Sequence, residues 1–430
     1  MTITKRVSLN LNVRGLKPSA TLAINDRSRE LQRQGRKIYR LGLGQSPFPV
    51  PVAVVETLRH HAPEKDYLPA QGLRDLREAV AAYHRRKDGV EARPQDVLIG
   101  PGSKELMFLL QLAFYGELIA PTPCWVSYVP QAAILGRKVS LIPTAETDGY
   151  RVTAEQLERH CHGENDEYRP RILVLNYPSN PVGATHDEGE LRDLAAVARK
   201  YEVIVLSDEI YGELHHQGRH VSLARFYPEG TIISSGLSKW CGAGGWRLGT
   251  FTFPKDLDWL LEAMATLASE TYTSVSAPIQ HAAVTAFRGG AWLERYLWHA
   301  RRILAAVGGR CVELIRQADV RVTAPAGAFY LFPNFAPLAD RLARRGITDS
   351  VTLAERLLAD TGVAVLPGVE FQRPPEELTM RMAYVDFDGA GILAASETTP
   401  LDQPLPDGFV ECYGHTVLEA VRLMLAWAAQ

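Results

Sequence analysis

Short apolar runs without polar alternation recur along the chain and alternate with stretches of helical periodicity. Such runs, most of them rich in Val and Ile, are typical of strands that are covered on both faces in a mainly parallel sheet. The segments of helical period between and after them cover 105–114, 188–201 and 292–318. The predicted strands are 97–99, 117–120, 138–142, 172–175, 203–206, 231–234 and 248–253. Strands that alternate with helices in this way predict a doubly wound α/β domain.

The pattern changes after the long helical segment, where Pro and Gly interrupt the chain at short intervals. It predicts a smaller α+β domain at 313–430, after a large domain at 49–312 that holds the parallel sheet. The N-terminal segment, 1–48, contains one amphipathic stretch of helical period at 20–34 and is too thin to fold alone. We therefore expect it to pack on the smaller domain.

Composition and charge limit the classes of partner. Lys and Arg number 47 against 49 Asp and Glu, which gives a formal net charge of −2. Proteins that bind nucleic acid or anionic lipid mainly through charge carry a basic excess, which this chain lacks. The first residues contain no apolar run, and the strongest apolar stretch, 106–114, is too short to span a bilayer. We predict no signal peptide, no membrane span, and neither a nucleic-acid nor a membrane partner.

Cysteine and histidine positions give no sign of a metal or a disulfide framework. The cysteines are odd in number, scattered, and never in a C-x-x-C pair; they are Cys124, Cys161, Cys241, Cys311 and Cys412. The pairs His60-His61 and His215-His216 are adjacent, so their side chains point in different directions, and no H-E-x-x-H motif occurs. The cytoplasm is the expected location, and no metal site is predicted.

Polar and glycine-rich segments follow four predicted strands at their carboxyl ends, which is where open α/β sheets bind ligands. They are Gly100-Pro-Gly-Ser-Lys104, Asn176-Tyr-Pro-Ser-Asn-Pro-Val-Gly183, Ser207-Asp-Glu-Ile-Tyr211 and Ser235-Gly-Leu-Ser-Lys239. The first offers backbone N–H groups at a predicted helix N-terminus to an anion, with a tight packing turn as the alternative. Taken one at a time, Lys239 and Arg247 also fit solvated surface cations, and Asp208 fits a helix N-cap.

Taken together, these segments resemble those of the class I and II aminotransferases, which are pyridoxal-phosphate enzymes of fold type I. The carrying motifs are Pro178-Ser-Asn-Pro-Val-Gly183, Ser207-Asp-Glu-Ile-Tyr211, Ser238-Lys239 with Gly245-Trp-Arg-Leu-Gly249, and Gly327-Ala-Phe-Tyr-Leu-Phe332. The likeness is greatest to the bacterial aspartate and prephenate aminotransferases of subgroup Iγ, on Leu16-Lys-Pro-Ser-Ala-Thr21, Gly102-Ser-Lys104 and Pro123-Cys-Trp-Val-Ser-Tyr128. The resemblance implies the fold-type I architecture, a large domain with a mainly parallel doubly wound sheet beside a smaller α+β domain.

The resemblance also implies a role for each matching residue toward the cofactor, pyridoxal 5′-phosphate. Lys239 forms the Schiff base and then moves a proton as general base and acid, which requires surroundings that lower the pKa of its amine. Asp208 pairs with the ring nitrogen and keeps it protonated. Tyr211 and Asn180 hydrogen-bond the phenolic oxygen, and Trp125 stacks on the ring.

Further cofactor contacts follow from the same likeness. Tyr67 matches the tyrosine that reaches the phosphate of the neighbouring subunit, which implies a homodimer with shared active sites. The remaining cofactor residues are Gly102, Ser103, Lys104, Ser238 and Arg247.

Substrate contacts are implied less fully. Arg381 matches the arginine that clamps the substrate α-carboxylate, for which paired guanidinium donors are suited, although a plain edge strand is the alternative. Gly44, Trp125 and Asn180 complete the contacts to the reacting end of the substrate. Lys104 matches a lysine that approaches a distal carboxylate, which favours dicarboxylic substrates, while a solvated lysine fits equally well. The segment 270–274, expected to enter the partner's pocket, contains no arginine.

The prediction is a pyridoxal-phosphate-dependent aminotransferase that moves an amino group from an α-amino acid, in particular one like aspartate or glutamate, to a 2-oxo acid by a ping-pong mechanism. The alternatives are a carbon–sulfur or other lyase, or a cyclase, on the same fold, and a non-enzymatic regulator that binds the cofactor. Two departures stand out. Gly236 occupies the place of a phosphate-binding serine, and 386–412 is longer and richer in Pro than the usual tail. We interpret its 394–406 portion as a surface loop, with a lid or a partner contact as alternatives.

Overall fold

The computed structural model describes residues 9–163 and 169–430, so the first residues of the predicted N-terminal segment, 1–8, lie outside the described residues. The helices are α1 (Ala20–Arg33), α2 (Val52–His61), α3 (Arg74–Lys87), α4 (Ser103–Ala113), α5 (Tyr128–Ile134), α6 (Ala154–Gly163), α7 (Glu188–Lys200), α8 (Asp258–Thr271), α9 (Ala277–Arg288), α10 (Ala291–Gln317), α11 (Ala339–Ala343), α12 (Ser350–Thr361), α13 (Gly389–Glu397), α14 (Phe409–Tyr413) and α15 (His415–Ala428). The strands are β1 (Tyr39–Arg40), β2 (Val97–Gly100), β3 (Glu117–Thr122), β4 (Val139–Pro143), β5 (Arg171–Asn176), β6 (Ile204–Asp208), β7 (Thr231–Gly236), β8 (Gly249–Thr252), β9 (Tyr330–Leu331), β10 (Val363–Ala364), β11 (Leu366–Pro367) and β12 (Met380–Ala383).

Each predicted apolar run forms one strand of a central seven-stranded sheet, in the order β2-β8-β7-β6-β5-β3-β4. Only β8 runs opposite to its neighbours, and the pairs from β7 to β4 are all parallel. Successive side chains of β5 enter two separate cores, because strand side chains alternate between faces. Ile172 and Val174 pack with α4 and α8, whereas Leu173 and Leu175 pack with α6 and α7. The predicted doubly wound α/β fold is confirmed.

The N-terminal segment packs against the C-terminal part of the chain. Tyr39 in β1 pairs in parallel with Val363 in β10, and Leu31 of α1 packs beside Leu358 of α12. A second small sheet, in the order β11-β12-β9, is antiparallel. The long helix α10 runs through residue 312 without a break, so the predicted boundary between the two domains falls inside this helix.

The Pro-rich segment near the C-terminus is partly helical. Residues 389–397 form α13, with the Asp388 side chain accepting hydrogen bonds from the backbone N–H groups of Ala390 and Gly391. The interpretation of 394–406 as a surface loop is therefore wrong at its start, where the chain continues the helix. Arg302 of α10 binds the end of α13 and the chain after it, donating to Ser396 Oγ at 2.7 Å and to the Thr399 carbonyl at 3.0 Å. Among the described residues, no helix combines the length and the apolar composition that crossing a membrane requires.

Candidate active site

A cleft of about 540 Å³ opens beyond the carboxyl ends of the parallel strands. The turns after β5, β6 and β7 contribute to its wall, together with the first turn of α4 and the chain around Gly44. This is the place where an open α/β sheet presents polar groups from several strands to one ligand. The residues predicted for the site that line it are Gly44, Ser103, Lys104, Trp125, Asn180, Asp208, Tyr211, Ser238, Lys239 and Arg247.

Lys239 lies at the centre of the cleft, on the turn that leaves β7. Its Nζ donates a hydrogen bond to the Gly44 carbonyl at 2.7 Å and lies 5.4 Å from the centre of the Tyr211 ring. Burial lowers the pKa of Lys239 to about 7, and the positive charge of Arg381 acts in the same direction. A large fraction of the amine is therefore neutral, and nucleophilic, at neutral pH.

Asp208 is the last residue of β6, and its carboxylate is buried. Tyr128 donates to Oδ2 at 2.6 Å, and the Ser234 hydroxyl lies 3.4 Å from Oδ1. Burial raises the pKa of Asp208 to about 6, although these hydrogen bonds oppose the shift. A cation placed in the cleft stabilises this buried carboxylate more than it would stabilise an exposed one, because less water screens the pair.

A buried polar network fixes the turn that carries Asp208 and Tyr211. The Glu209 carboxylate accepts hydrogen bonds from Ser207 and Ser222, both at 2.7 Å, and pairs with His220 Nε2 at 2.8 Å. Burial alone would raise the pKa of Glu209, yet His220 holds it below its ordinary value. Glu209 and its three partners thus hold the backbone on either side of Asp208.

The first turn of α4 and Arg247 form a cationic cradle at one end of the cleft. Gly102 precedes α4 with φ of 90°, and no side chain caps the helix there. A Cβ at Gly102 would overlap the Arg247 guanidinium, so glycine permits this close approach. Arg247 donates to the carbonyls of Gly244 at 2.9 Å and Pro101 at 3.3 Å. Free N–H groups at a helix start beside a guanidinium suit an anion such as phosphate.

Arg381 on β12 lies behind Asn180 rather than in the cleft wall. Its Nη1 donates to Asn180 Oδ1 at 3.2 Å and its Nη2 to the Gly42 carbonyl at 2.5 Å. Within the described residues its Nε has no hydrogen-bond partner. The guanidinium lies 4.8 Å from the centre of the Tyr330 ring, and burial lowers its pKa. Arg381 thus has donor capacity that the protein leaves partly unused, close to a residue of the cleft wall.

Lys104 and Trp125 meet at the rim of the cleft. Lys104 Nζ lies 5.2 Å from the centre of the Trp125 ring, a cation–π arrangement. Partial burial lowers the pKa of Lys104, as does the neighbouring charge of Arg247. Trp125 in turn meets Tyr128 edge to face, with ring centres 5.3 Å apart.

Three predicted residues do not line the cleft, namely Gly102 and Arg381, which lie beside lining residues, and Tyr67, which stands apart. Several contributors were not predicted. Tyr67 is 89% exposed and does not line the cleft of its own chain. Tyr330 hydrogen-bonds the Tyr211 hydroxyl at 2.7 Å. It and Tyr128 stand inside the motifs that carry the resemblance, but nothing in the sequence shows their partners. Leu22 and Gln45 also line the cleft; they come from the N-terminal segment, and only the tertiary fold brings them there.

Comparison with known proteins agrees with this geometry. The family model for aminotransferase class I and II matches residues 36–387. The aspartate/prephenate aminotransferase of Thermus thermophilus is 32% identical over 368 residues, which cover 84% of this chain and 91% of that protein. The aspartate aminotransferase of Bacillus subtilis is 30% identical over 394 residues, which cover 89% and 94%. A solved structure of the Thermus thermophilus aspartate aminotransferase with maleate superposes with a TM-score of 0.83 at 28% identity, covering 98% of this chain and all of that one.

Proposed function

The chain belongs to the class I and II aminotransferases, a pyridoxal-phosphate-dependent family, and on that basis we propose that it transfers the amino group of aspartate, or a similar dicarboxylic amino acid, to a 2-oxo acid. The predicted enzyme class and cofactor are thereby confirmed. The observation that carries the specific proposal is Lys104 at the rim of a cleft that also holds Lys239 and Asp208. We further propose a homodimer, supported by the exposed Tyr67, which matches a residue that serves the neighbouring subunit. We also propose a location in the cytoplasm, with which the free cysteines agree.

The residues of the cleft fit the cofactor chemically. Asp208 is a buried carboxylate hydrogen-bonded by the neutral side chains of Tyr128 and Ser234, which suits a protonated ring nitrogen. The start of α4, Ser238 and Arg247 would hold the phosphate, Tyr211 and Asn180 the phenolic oxygen, and Trp125 the ring face. When bound, pyridoxal phosphate supplies an aldehyde that condenses with amines and a ring that withdraws electrons from the substrate Cα.

Lys239 performs the proton transfer in this proposal. Its Nζ would hold the cofactor aldehyde and, when free, would take the proton from the substrate Cα and return it. A pKa of about 7 suits both directions of transfer, because the amine accepts and returns a proton at similar cost near neutral pH. The Gly44 carbonyl, which accepts a hydrogen bond from Nζ, keeps the amine directed into the cleft.

Arg381 and Lys104 select the substrate. We propose that the substrate α-carboxylate engages Arg381 in place of the Gly42 carbonyl, since a charged acceptor makes stronger hydrogen bonds than a neutral one. A distal carboxylate would then extend toward Lys104. The aspartate and prephenate activities named for the relatives agree with a second anionic group on the substrate.

A half-reaction distinguishes transamination from other reactions of the same cofactor. Holoenzyme mixed with aspartate alone, without oxo acid, is expected to convert the absorbance of the bound cofactor to that of pyridoxamine phosphate. Added 2-oxoglutarate should restore the original spectrum. Release of ammonia or pyruvate without this conversion would contradict the proposed reaction.

Replacing Lys104 with Ala is expected to lower kcat/KM for dicarboxylic substrates more than for substrates without a distal carboxylate. Loss of a hydrogen bond to a charged group costs about 1.5–3 kcal/mol, so kcat/KM for aspartate should fall on the order of tenfold to a hundredfold. Alanine, which has no distal carboxylate, serves as the control substrate and should change much less. Equal losses for aspartate and alanine would remove the proposed role of Lys104.

The attachment of cofactor to cofactor-free protein is expected to depend on pH through Lys239. Its amine is charged below a pKa of about 7 and neutral above it. The rate of attachment, followed by absorbance after rapid mixing with pyridoxal phosphate, should therefore rise as pH increases through about 7 and then level off. An exposed lysine, with a pKa of about 10.4, provides the contrast. A rate that keeps rising to that pH would contradict the lowered pKa.

A further inference from the structure

Outside the cleft, three side chains able to coordinate a metal meet where α2 ends beside α9. His61 is the last residue of α2, Glu64 lies in the following turn, and His281 lies on α9. One nitrogen of each imidazole and one carboxylate oxygen of Glu64 all lie within 4.8 Å of one another. Within the described ranges 9–163 and 169–430, no other group of three or more His, Cys, Asp or Glu side chains converges this closely.

The two helices form a fixed base for this cluster. The rings of His61 and His281 are stacked with centres 4.1 Å apart and planes within 4°. Four residues from each histidine, the hydroxyls of Thr57 and Thr285 are hydrogen-bonded at 2.9 Å. Thr57 precedes His61 in α2, whereas Thr285 follows His281 in α9. The two helices therefore pack antiparallel, with the two contacts about one turn apart. Both histidines are half-buried, whereas Glu64 is exposed.

Acidic groups around the cluster supply negative charge to a cation. The carboxylates of Glu64 and of Asp75, on α3, both act on the His281 ring. Glu64 Oε1 lies 3.7 Å from His61 Nδ1. Two imidazoles and a carboxylate are a donor set that suits zinc and neighbouring transition metals rather than magnesium or calcium.

We propose that His61, Glu64 and His281 bind one divalent transition-metal ion that links the end of α2 to α9. Zinc bonds of about 2.0–2.2 Å require donors closer together than 4.8 Å, so the exposed Glu64 must rotate on binding. One imidazole must also turn out of the stack, because the nitrogen lone pairs of two parallel rings lie in parallel planes. Three protein ligands leave the fourth position of a tetrahedral ion to water. The ion would fix the point at which the chain leaves α2 toward Tyr67.

Calorimetric titration of the holoenzyme with zinc, after removal of metals by a chelator, tests the site directly. The wild-type chain is expected to bind one ion per subunit. The variants His61→Gln and His281→Gln should bind at least about tenfold more weakly. His415→Gln, which removes an exposed histidine of α15, is the matched control and should bind like the wild type. Circular dichroism of each variant checks that it is folded.

Cobalt gives a second measurement, which reports the coordination geometry of the bound ion rather than the strength of binding. Cobalt bound by three protein ligands and one water should show the intense visible absorption of a four-coordinate ion, and His281→Gln should lose it. Zinc binding of equal strength in the wild type, His61→Gln and His281→Gln would place the ion elsewhere and overturn the proposal. Absence of zinc binding to the wild type, or only the weak spectrum of six-coordinate cobalt, would overturn it as well.

Discussion

Replacing Lys239 with Ala is expected to abolish transamination and the covalent attachment of pyridoxal phosphate together. The Lys239 amine is the one whose pKa falls to about 7 in the cleft, and its Nζ is directed inward by the Gly44 carbonyl. Without it, the cleft loses the amine proposed to take and return the substrate Cα proton. Borohydride reduction followed by mass spectrometry of peptides measures the attachment, and the half-reaction spectrum measures turnover.

Lys104→Ala is the matched control for this experiment, because Lys104 lines the same cleft and also has a lowered pKa. It should retain full attachment after reduction. Stoichiometric attachment in Lys239→Ala would show that another lysine holds the cofactor. A chain that loses attachment but keeps normal turnover would equally contradict the assignment, since the proposal gives both tasks to one amine.

The central sheet could be predicted because its strands are covered on both faces and therefore lack polar residues. Runs such as 172–175 are visible in a single sequence for this reason, and their carboxyl ends then locate the cleft. The helix at 389–397 could not be predicted from the sequence. Its two glycines and short length weaken the local signal, and contacts with α10 and Arg302 provide what local propensity does not.

The polar groups behind the cleft could not be predicted for a different reason. Glu209 is adjacent to Asp208 in sequence, but its partner His220 reaches it only in the folded chain. The same holds for Tyr330, which joins Tyr211, and for His281, which joins His61. Motifs identify residues that share a segment, whereas these contacts connect different segments and depend on how the elements pack.

Lys239 and Asp208 illustrate how burial prepares the cleft. Burial lowers the pKa of the amine to about 7 and raises that of the carboxyl group to about 6, so each loses part of the charge it would carry in water. The near-zero net charge of the chain is compatible with this, because the cations of the site, Lys239, Arg247 and Arg381, are few and converge on one region. Anion binding here comes from placement and burial rather than from a basic surface.

Replacing Asp208 with Asn is expected to reduce kcat by on the order of a hundredfold to several thousandfold. The change keeps the shape of the side chain but removes the charge that pairs with the protonated ring nitrogen. Leaving one member of a buried charge pair without its partner costs about 3–5 kcal/mol, and each 1.4 kcal/mol is about tenfold in rate. Single-turnover kinetics with aspartate measures the loss, and titration with pyridoxal phosphate measures cofactor affinity.

Tyr128→Phe separates the charge of Asp208 from its hydrogen bond. It removes the donor to Oδ2 but leaves the carboxylate in place, so about 1.5–3 kcal/mol is lost, less than for Asp208→Asn. The wild-type cofactor affinity should also fall as pH decreases through about 6, where Asp208 takes up a proton, whereas Asp208→Asn should show no such step. Losses of equal size in the two variants would mean that the hydrogen bond matters rather than the charge. A step near that pH that persists in Asp208→Asn would assign the titration to another group.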